Sequence, residues 1–263
     1  MSFDFNIILY IVFGILPSLI WLLYYLKKDI HPESNGMIIK IFLWGAAITV
    51  PVFFVQIGLN FVLEKINIDP LITSILYWFV IIAFSEELFK YLVVKFKVLN
   101  SSHLDEPLDI MLYMVITALG FTAIENILYI FTPTGNFSFT EILNRTLILS
   151  LIRFVGATFL HTLCSAVIGY AVAISLCDEK NRRLEAGFGI IMAVVLHGAY
   201  DFFIITLDGS LKIIIPITIL IILAILTSLG FEQLKKLKSV CNLESRLRDE
   251  NPALYAKNKG GKC

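Results

Sequence analysis

Apolar runs long enough to cross a bilayer recur along almost the whole of this chain, and that leaves few architectures open. Seven such stretches are read, at about 5–26, 37–63, 70–94, 108–131, 147–177, 186–206 and 212–230. A hydrocarbon core about 30 Å thick takes roughly 20 apolar residues in a helix, but only about 9–11 in a tilted barrel strand. The stretches are too long, and too seldom alternate, for strands. With 58% hydrophobic residues over 263 positions and a mean hydropathy of +0.84, the chain is expected to be an all-α, polytopic transmembrane helix bundle. The lipid bilayer is then a partner, and no nucleic-acid partner is expected. Cys164, Cys177, Cys241 and Cys263 lack CxxC spacing, so neither a disulfide framework nor a thiolate metal site is expected.

Basic residues suggest an orientation. Asp4 precedes the first stretch and Lys27 and Lys28 follow it. That pattern reads as an uncleaved anchor and not as a signal peptide. Lys40, Lys95, Lys97, Lys180, Arg182 and Arg183 fall in or beside the odd-numbered loops. Lys235, Lys236, Lys238, Arg246 and Arg248 crowd the tail, while the other loops carry only Lys65, Arg145 and Lys212. The positive-inside bias therefore predicts an outside N-terminus and a cytoplasmic C-terminus. Residues 1–230 read as one membrane domain and 231–263 as a short, polar, partly disordered cytoplasmic tail. The turn-rich Thr132–Phe139 is an outer connection. The fifth stretch, about 31 residues long, is expected either to tilt strongly or to begin along the interface just after Thr146. The first two spans carry little internal charge and are assigned a scaffold role.

Spans three to six are different. The third holds Glu86, Glu87 and Lys90, an E-E-x-x-K run. A charged side chain at mid-bilayer costs roughly 2.5–3.5 kcal/mol on insertion scales. Positions three and four apart share a helix face, so Lys90 can neutralise a carboxylate. The fourth span holds Phe121, Glu125 and Asn126, and the fifth Arg153, His161 and Gly169. The sixth holds His197 and Asp201, four apart, where the carboxylate can orient the imidazole. Singly, each has a plain reading. Glu86 and Lys90 can be a structural ion pair, Arg153 can snorkel to headgroups, and Asp201 can sit at the interface. Gly169 reads as a close helix contact, Phe121 as core or lipid-facing, and Cys164 as filler. Together they predict four helices turning polar groups toward one buried cluster.

The segments SEELFK, GFTAIENILY, RFVGATFLHTLCSAVIGY and VLHGAYD resemble the motifs of the PrsW family of bacterial intramembrane proteases, which is similar to the glutamate-type CAAX-processing membrane proteases. The resemblance covers about residues 80–205. It departs from the CAAX-type pattern at Glu125, where that pattern has histidine. The resemblance implies a multi-pass protein of the bacterial cell membrane. It implies regulated cleavage of a single-pass membrane protein, an anti-sigma factor, in a stress response. By the motif, Glu86 is expected to be the general base, with Glu87 supporting and Lys90 balancing charge. His161 and His197 are expected to steady the oxyanion or protonate the leaving amine. Asp201 would orient His197, and Glu125 and Asn126 would position water or substrate.

Two other chemistries draw on the same residues. Two histidines and several carboxylates are zinc ligands by type, although HExxH is absent and the ligands would have to converge from separate helices. The expected site has no metal, with zinc the alternative. Intramembrane Glu, His and Asp also build proton relays, so a proton-coupled transporter is a further reading. Against it, no inverted repeat and no matching pair of broken spans is seen. A purely structural membrane protein would tolerate neutralisation of Glu86, His161 and His197.

Overall fold

Short polar residues start the helices where the apolar runs begin. Ser34 accepts a hydrogen bond from the backbone N–H of Met37. Asp69 accepts from Leu71 and Ile72, just ahead of Pro70. Ser138 and Glu141 form a reciprocal capping box. Each device satisfies backbone donors that a helix start leaves without an intrahelical partner. The computed structural model describes residues 2–250 apart from 30–31, 100, 102–103, 105, 132–137 and 178–181. Most of the turn-rich loop at 132–139, Lys180 and the end of the tail lie outside the described residues.

The helices are α1 (Ser2–Leu26), α2 (Asn35–Leu63), α3 (Pro70–Ile75), a π-helical stretch π1 (Leu76–Phe84), α4 (Ser85–Lys97), α5 (Pro107–Ile130), α6 (Phe139–Val155), α7 (Ala157–Cys177), α8 (Arg182–Thr206) and α9 (Leu211–Glu250). They make seven membrane-length segments, because α3, π1 and α4 run on as one and α6 and α7 share another. Their outer faces carry exposed Phe54, Leu151, Ile191 and Ile213. In water such surface would be a liability; in lipid it is the solvent-facing side.

The core forms around α5, which is buried along most of its length and packs against α1, α2 and α7. Lipid provides no hydrophobic drive for helices to associate, so close backbone approach and polar contacts must hold them. Both are present. A Cβ on Gly45 would fall 2.1 Å from the carbonyl oxygen of Thr117, and one on Gly120 would fall 2.0 Å from that of Phe42. The α2–α5 crossing therefore requires glycine on both helices. Gly169 of α7 likewise meets the backbone of Met111, the close contact expected of it. Ser18 bonds Thr122 across α1 and α5 at 3.0 Å, and Ser150 donates to the carbonyl of Phe13 at 2.8 Å. Cys164 is a buried free thiol in this core.

The fifth span departs from expectation. It is not one helix but two, with α6 beginning at Phe139 and α7 at Ala157, parted at Gly156. Gly156 has φ −90° and ψ −95°, outside helical geometry. The break frees carbonyls in the last turn of α6, and the indole N–H of Trp21 donates to that of Phe154 at 3.0 Å. At the other end, α9 runs without interruption across residue 230, and Phe231 and Leu234 are buried in the core.

Candidate active site

The site is built on the change of helix type between π1 and α4. π-helical turns are rare and concentrate at functional positions. At this junction the hydroxyl of Ser85 donates to the carbonyls of Ile81 at 2.5 Å and Ile82 at 3.1 Å. Glu86 and Glu87 follow immediately, both buried. Their surroundings differ. Glu87 is saturated: Oε1 faces Lys90 Nζ at 2.8 Å and His197 Nδ1 at 2.9 Å, and Oε2 accepts from Ser165 at 3.2 Å. Glu86 Oε1 accepts from the amide of Gln56 at 3.0 Å. Glu86 Oε2 has no hydrogen-bond partner; it stands 3.6 Å from His161 Nδ1 and 3.7 Å from Lys90 Nζ.

Lys90 is fully buried and takes the centre of the cluster. Its Nζ lies 2.6 Å from His161 Nδ1 and 4.5 Å from the centroid of the Phe121 ring. Phe121 thus provides a π-face for the ammonium. An ammonium can only donate, so the His161 nitrogen beside it is the acceptor and the ring proton lies on Nε2. That Nε2 faces Glu125 at 3.2 Å.

Arg153 supports this side of the site. Its Nη2 lies 2.8 Å from Glu125 Oε2, its Nε donates to Asn126 Oδ1, and its guanidinium stacks 4.6 Å from the Tyr129 ring. It is buried and points inward, onto Glu125 and Asn126. Asn126 is fully buried, donating to the carbonyl of Gly14 and to Thr158. It ties α1, α5, α6 and α7 together and does not reach the cavity. On α8, His197 Nδ1 faces Glu87 and Nε2 faces Asp201 at 3.2 Å, the i,i+4 pair read from the sequence. The His161 and His197 rings meet edge to face, 4.7 Å between centroids.

A cavity of about 400 Å³ opens beside these groups, within the range of roughly 300–1,000 Å³ common for ligand pockets. Glu86, Glu125, His161, His197 and Asp201 line it, whereas Glu87 and Lys90 lie behind. Its rim includes the exposed Phe53, Leu128, Tyr129, Ile152 and Ile205. The cavity mouth therefore faces lipid. Every residue expected from the sequence comes into one cluster except Asn126, which braces it. The sequence reading missed Gln56 and Ser165. Gln56 also corrects the scaffold role given to the second span, because it contributes a side chain directly to Glu86. A side-chain amide in an apolar stretch was the available signal.

Glu86, His161 and His197 each offer a ligand atom within 4.8 Å of the others. Two histidines and one glutamate are a catalytic zinc set by type. Each histidine nitrogen, however, already faces a group that a cation would have to displace. Lys90 already faces His161 Nδ1, Glu125 takes Nε2, and both nitrogens of His197 face carboxylates.

Residues 33–231 match the family described as PrsW family intramembrane metalloprotease. The chain is 27% identical over 208 residues to the "Protease PrsW" of Oceanobacillus iheyensis, covering 79% of this chain and 88% of that one. It is 26% identical over 229 residues to the "Protease PrsW" of Bacillus subtilis, covering 86% and 94%. To that of Clostridioides difficile it is 31% identical over 214 residues, covering 80% and 84%. No solved structure gives a significant match. A multi-pass bundle with its carboxylates gathered around one intramembrane cavity agrees with these matches, and the chain belongs to the PrsW family of intramembrane proteases.

Proposed function

We propose that this protease hydrolyses a peptide bond of a single-pass membrane protein with a water activated by Glu86. The observation that carries the reading is the asymmetry of the glutamate pair. Glu86 lines the cavity and its Oε2 has no hydrogen-bond partner, while both oxygens of Glu87 are engaged and that residue lies behind. In the proposed step the water gives a proton to Glu86 Oε2 and its oxygen attacks the carbonyl carbon. The C–N bond then breaks and the amine leaves with a proton. His161 and His197 flank the reacting carbonyl, steadying the oxyanion or protonating the amine. Asp201 and Glu87 hold His197, and Lys90 balances the carboxylates. A helical peptide bond is shielded, so the substrate unwinds locally.

The lipid-facing mouth supports a membrane-embedded substrate, and the family resemblance supports an anti-sigma factor. Residues 1–230 form the protease domain in this reading, with the catalytic core at 80–205 and a tail at 231–263. The N-terminus lies outside and the C-terminus in the cytoplasm. Mapping the cut in a co-expressed single-pass protein, with and without Glu86→Gln, tests the reading; cleavage retained in Glu86→Gln removes Glu86 as the base.

A zinc mechanism is the second reading, favoured by the three convergent donors and by the family description. It requires His161 to give up Lys90 or Glu125, and His197 to give up Glu87 or Asp201. Metal analysis of the purified protein, with activity before and after exhaustive chelation, separates the two.

A further inference from the structure

A second cavity, of about 510 Å³, lies between α1, α9 and the region of the α6–α7 break, lined by none of the residues that line the first. Trp21, Tyr24 and Tyr25 of α1, Phe154 and Phe159 beside the Gly156 break, and Phe231 of α9 line it. Trp21 stacks on Phe159, 4.4 Å between centroids and 12° between planes. Tyr25 and Phe231 close one end, their rings 5.7 Å apart. Lys28 stands at that end, its Nζ 5.2 Å from the Tyr24 ring and 5.8 Å from the Phe231 ring.

One buried polar atom points to an occupant. Thr227, in the same wall, is 3% exposed and its hydroxyl has no hydrogen-bond partner. The ordinary fate of a threonine in a helix is to donate to the carbonyl four residues back. Thr49, Thr117, Thr162, Thr206 and Thr218 all do so. A buried hydroxyl left unpaired is costly, and in the bilayer no bulk water reaches it.

We propose that this groove binds one anionic phospholipid. Its polarity matches that of an amphiphile. From Ile20 to Lys28 the wall runs about 12 Å at the α-helical rise, apolar and aromatic at the inner end and cationic at the outer end. An acyl chain lies against Trp21, Phe154 and Phe159, the ester region passes Thr227, whose hydroxyl turns into the groove to meet it, and the phosphate meets Lys28. Basic pockets between transmembrane helices take anionic headgroups by the same physics. The occupant touches both sides of the break that sets Arg153 and His161. This site is separate from the proposed hydrolytic chemistry and stands without it.

The test uses the full chain in nanodiscs. Trp44→Phe and Trp78→Phe leave Trp21 as the sole tryptophan of the three. Brominated phosphatidylglycerol and brominated phosphatidylcholine are titrated as quenchers. The phosphatidylglycerol should quench Trp21 saturably, at a mole fraction about fivefold lower than the phosphatidylcholine. Lys28→Gln should remove that preference. Ala224→Phe, which fills the groove, should remove the saturable component. Soluble glycerol phosphate should not relieve the quenching. Equal quenching by both lipids at every mole fraction means annular contact and overturns the proposal. Relief by glycerol phosphate assigns the site to a soluble phosphate and overturns the lipid. Quenching by neither lipid places another protein segment in the groove, with the same result.

Discussion

Glu86 and Glu87 are adjacent in the chain, yet only Glu86 meets open space; Glu87 is spent on Lys90, His197 and Ser165. One carboxylate is available to a reacting molecule and its neighbour holds three helices in place. The two should fail differently when altered.

Glu86→Gln should lower cleavage by roughly 10²–10⁴-fold, the usual contribution of a positioned base, with the thermal midpoint in detergent nearly unchanged. Glu87→Gln should lose cleavage and also about 3–5 kcal/mol of stability, because it leaves Lys90 buried without its closest counter-charge. Thermal unfolding of both variants beside the cleavage assay makes the distinction; equal stability losses would refute it.

Gln56→Leu removes the donor that fixes Glu86 Oε1. A hydrogen bond to a charged group is worth about 1.5–3 kcal/mol, so cleavage should fall about tenfold or more, as a loss in kcat with KM little changed. Gln56→Asn, one methylene shorter, should recover little. Steady-state kinetics on a reconstituted substrate give the answer, and a change confined to KM would mean that Gln56 contacts substrate instead.

Arg153→Lys is not conservative here. A lysine cannot reach Glu125 and Asn126 together or stack on Tyr129. Activity should drop roughly tenfold, while Glu125→Gln combined with Arg153→Met should be better folded than Arg153→Met alone, since it leaves no uncompensated charge. A double-mutant cycle on unfolding midpoints measures this coupling.

Gly120→Ala should destabilise the bundle by about 1–3 kcal/mol, as overpacking does, because its new Cβ would collide with the backbone of Phe42. The measurement is the unfolding midpoint; an unshifted value would mean that α2 can slide away from α5 without cost.

Much of this was readable in the chain because lipid is an unforgiving solvent. Length and apolarity alone placed seven spans, and each of Glu86, Glu125, Arg153, His161, His197 and Asp201 stood out because the bilayer penalises it. Pairings that depend on spacing within one helix, Glu87 with Lys90 and His197 with Asp201, followed from helical geometry. What escaped depends on contacts between helices or on backbone detail. Gln56 has no partner nearby in sequence. The break at Gly156 is invisible in a continuous apolar run, since glycine is common in transmembrane helices. Residues 76–84 are uniformly apolar, so nothing in their pattern separates a π-helix from an α-helix. Phe231 and Leu234 lie in a segment whose composition is polar, and only packing shows them to be core.

The wider winding of Leu76–Phe84 makes the face that carries Glu86 sensitive to arithmetic. An α-helix advances about 100° per residue. A π turn takes more residues and so advances less per residue; letting the stretch relax to α geometry at its full length would overwind it and rotate everything after it, or else drag the preceding segment around. Glu86 would then swing off its cavity with no side chain altered. The register of this protease is thus held by the winding of one apolar stretch, and a change that let it relax at constant length would act like an active-site mutation.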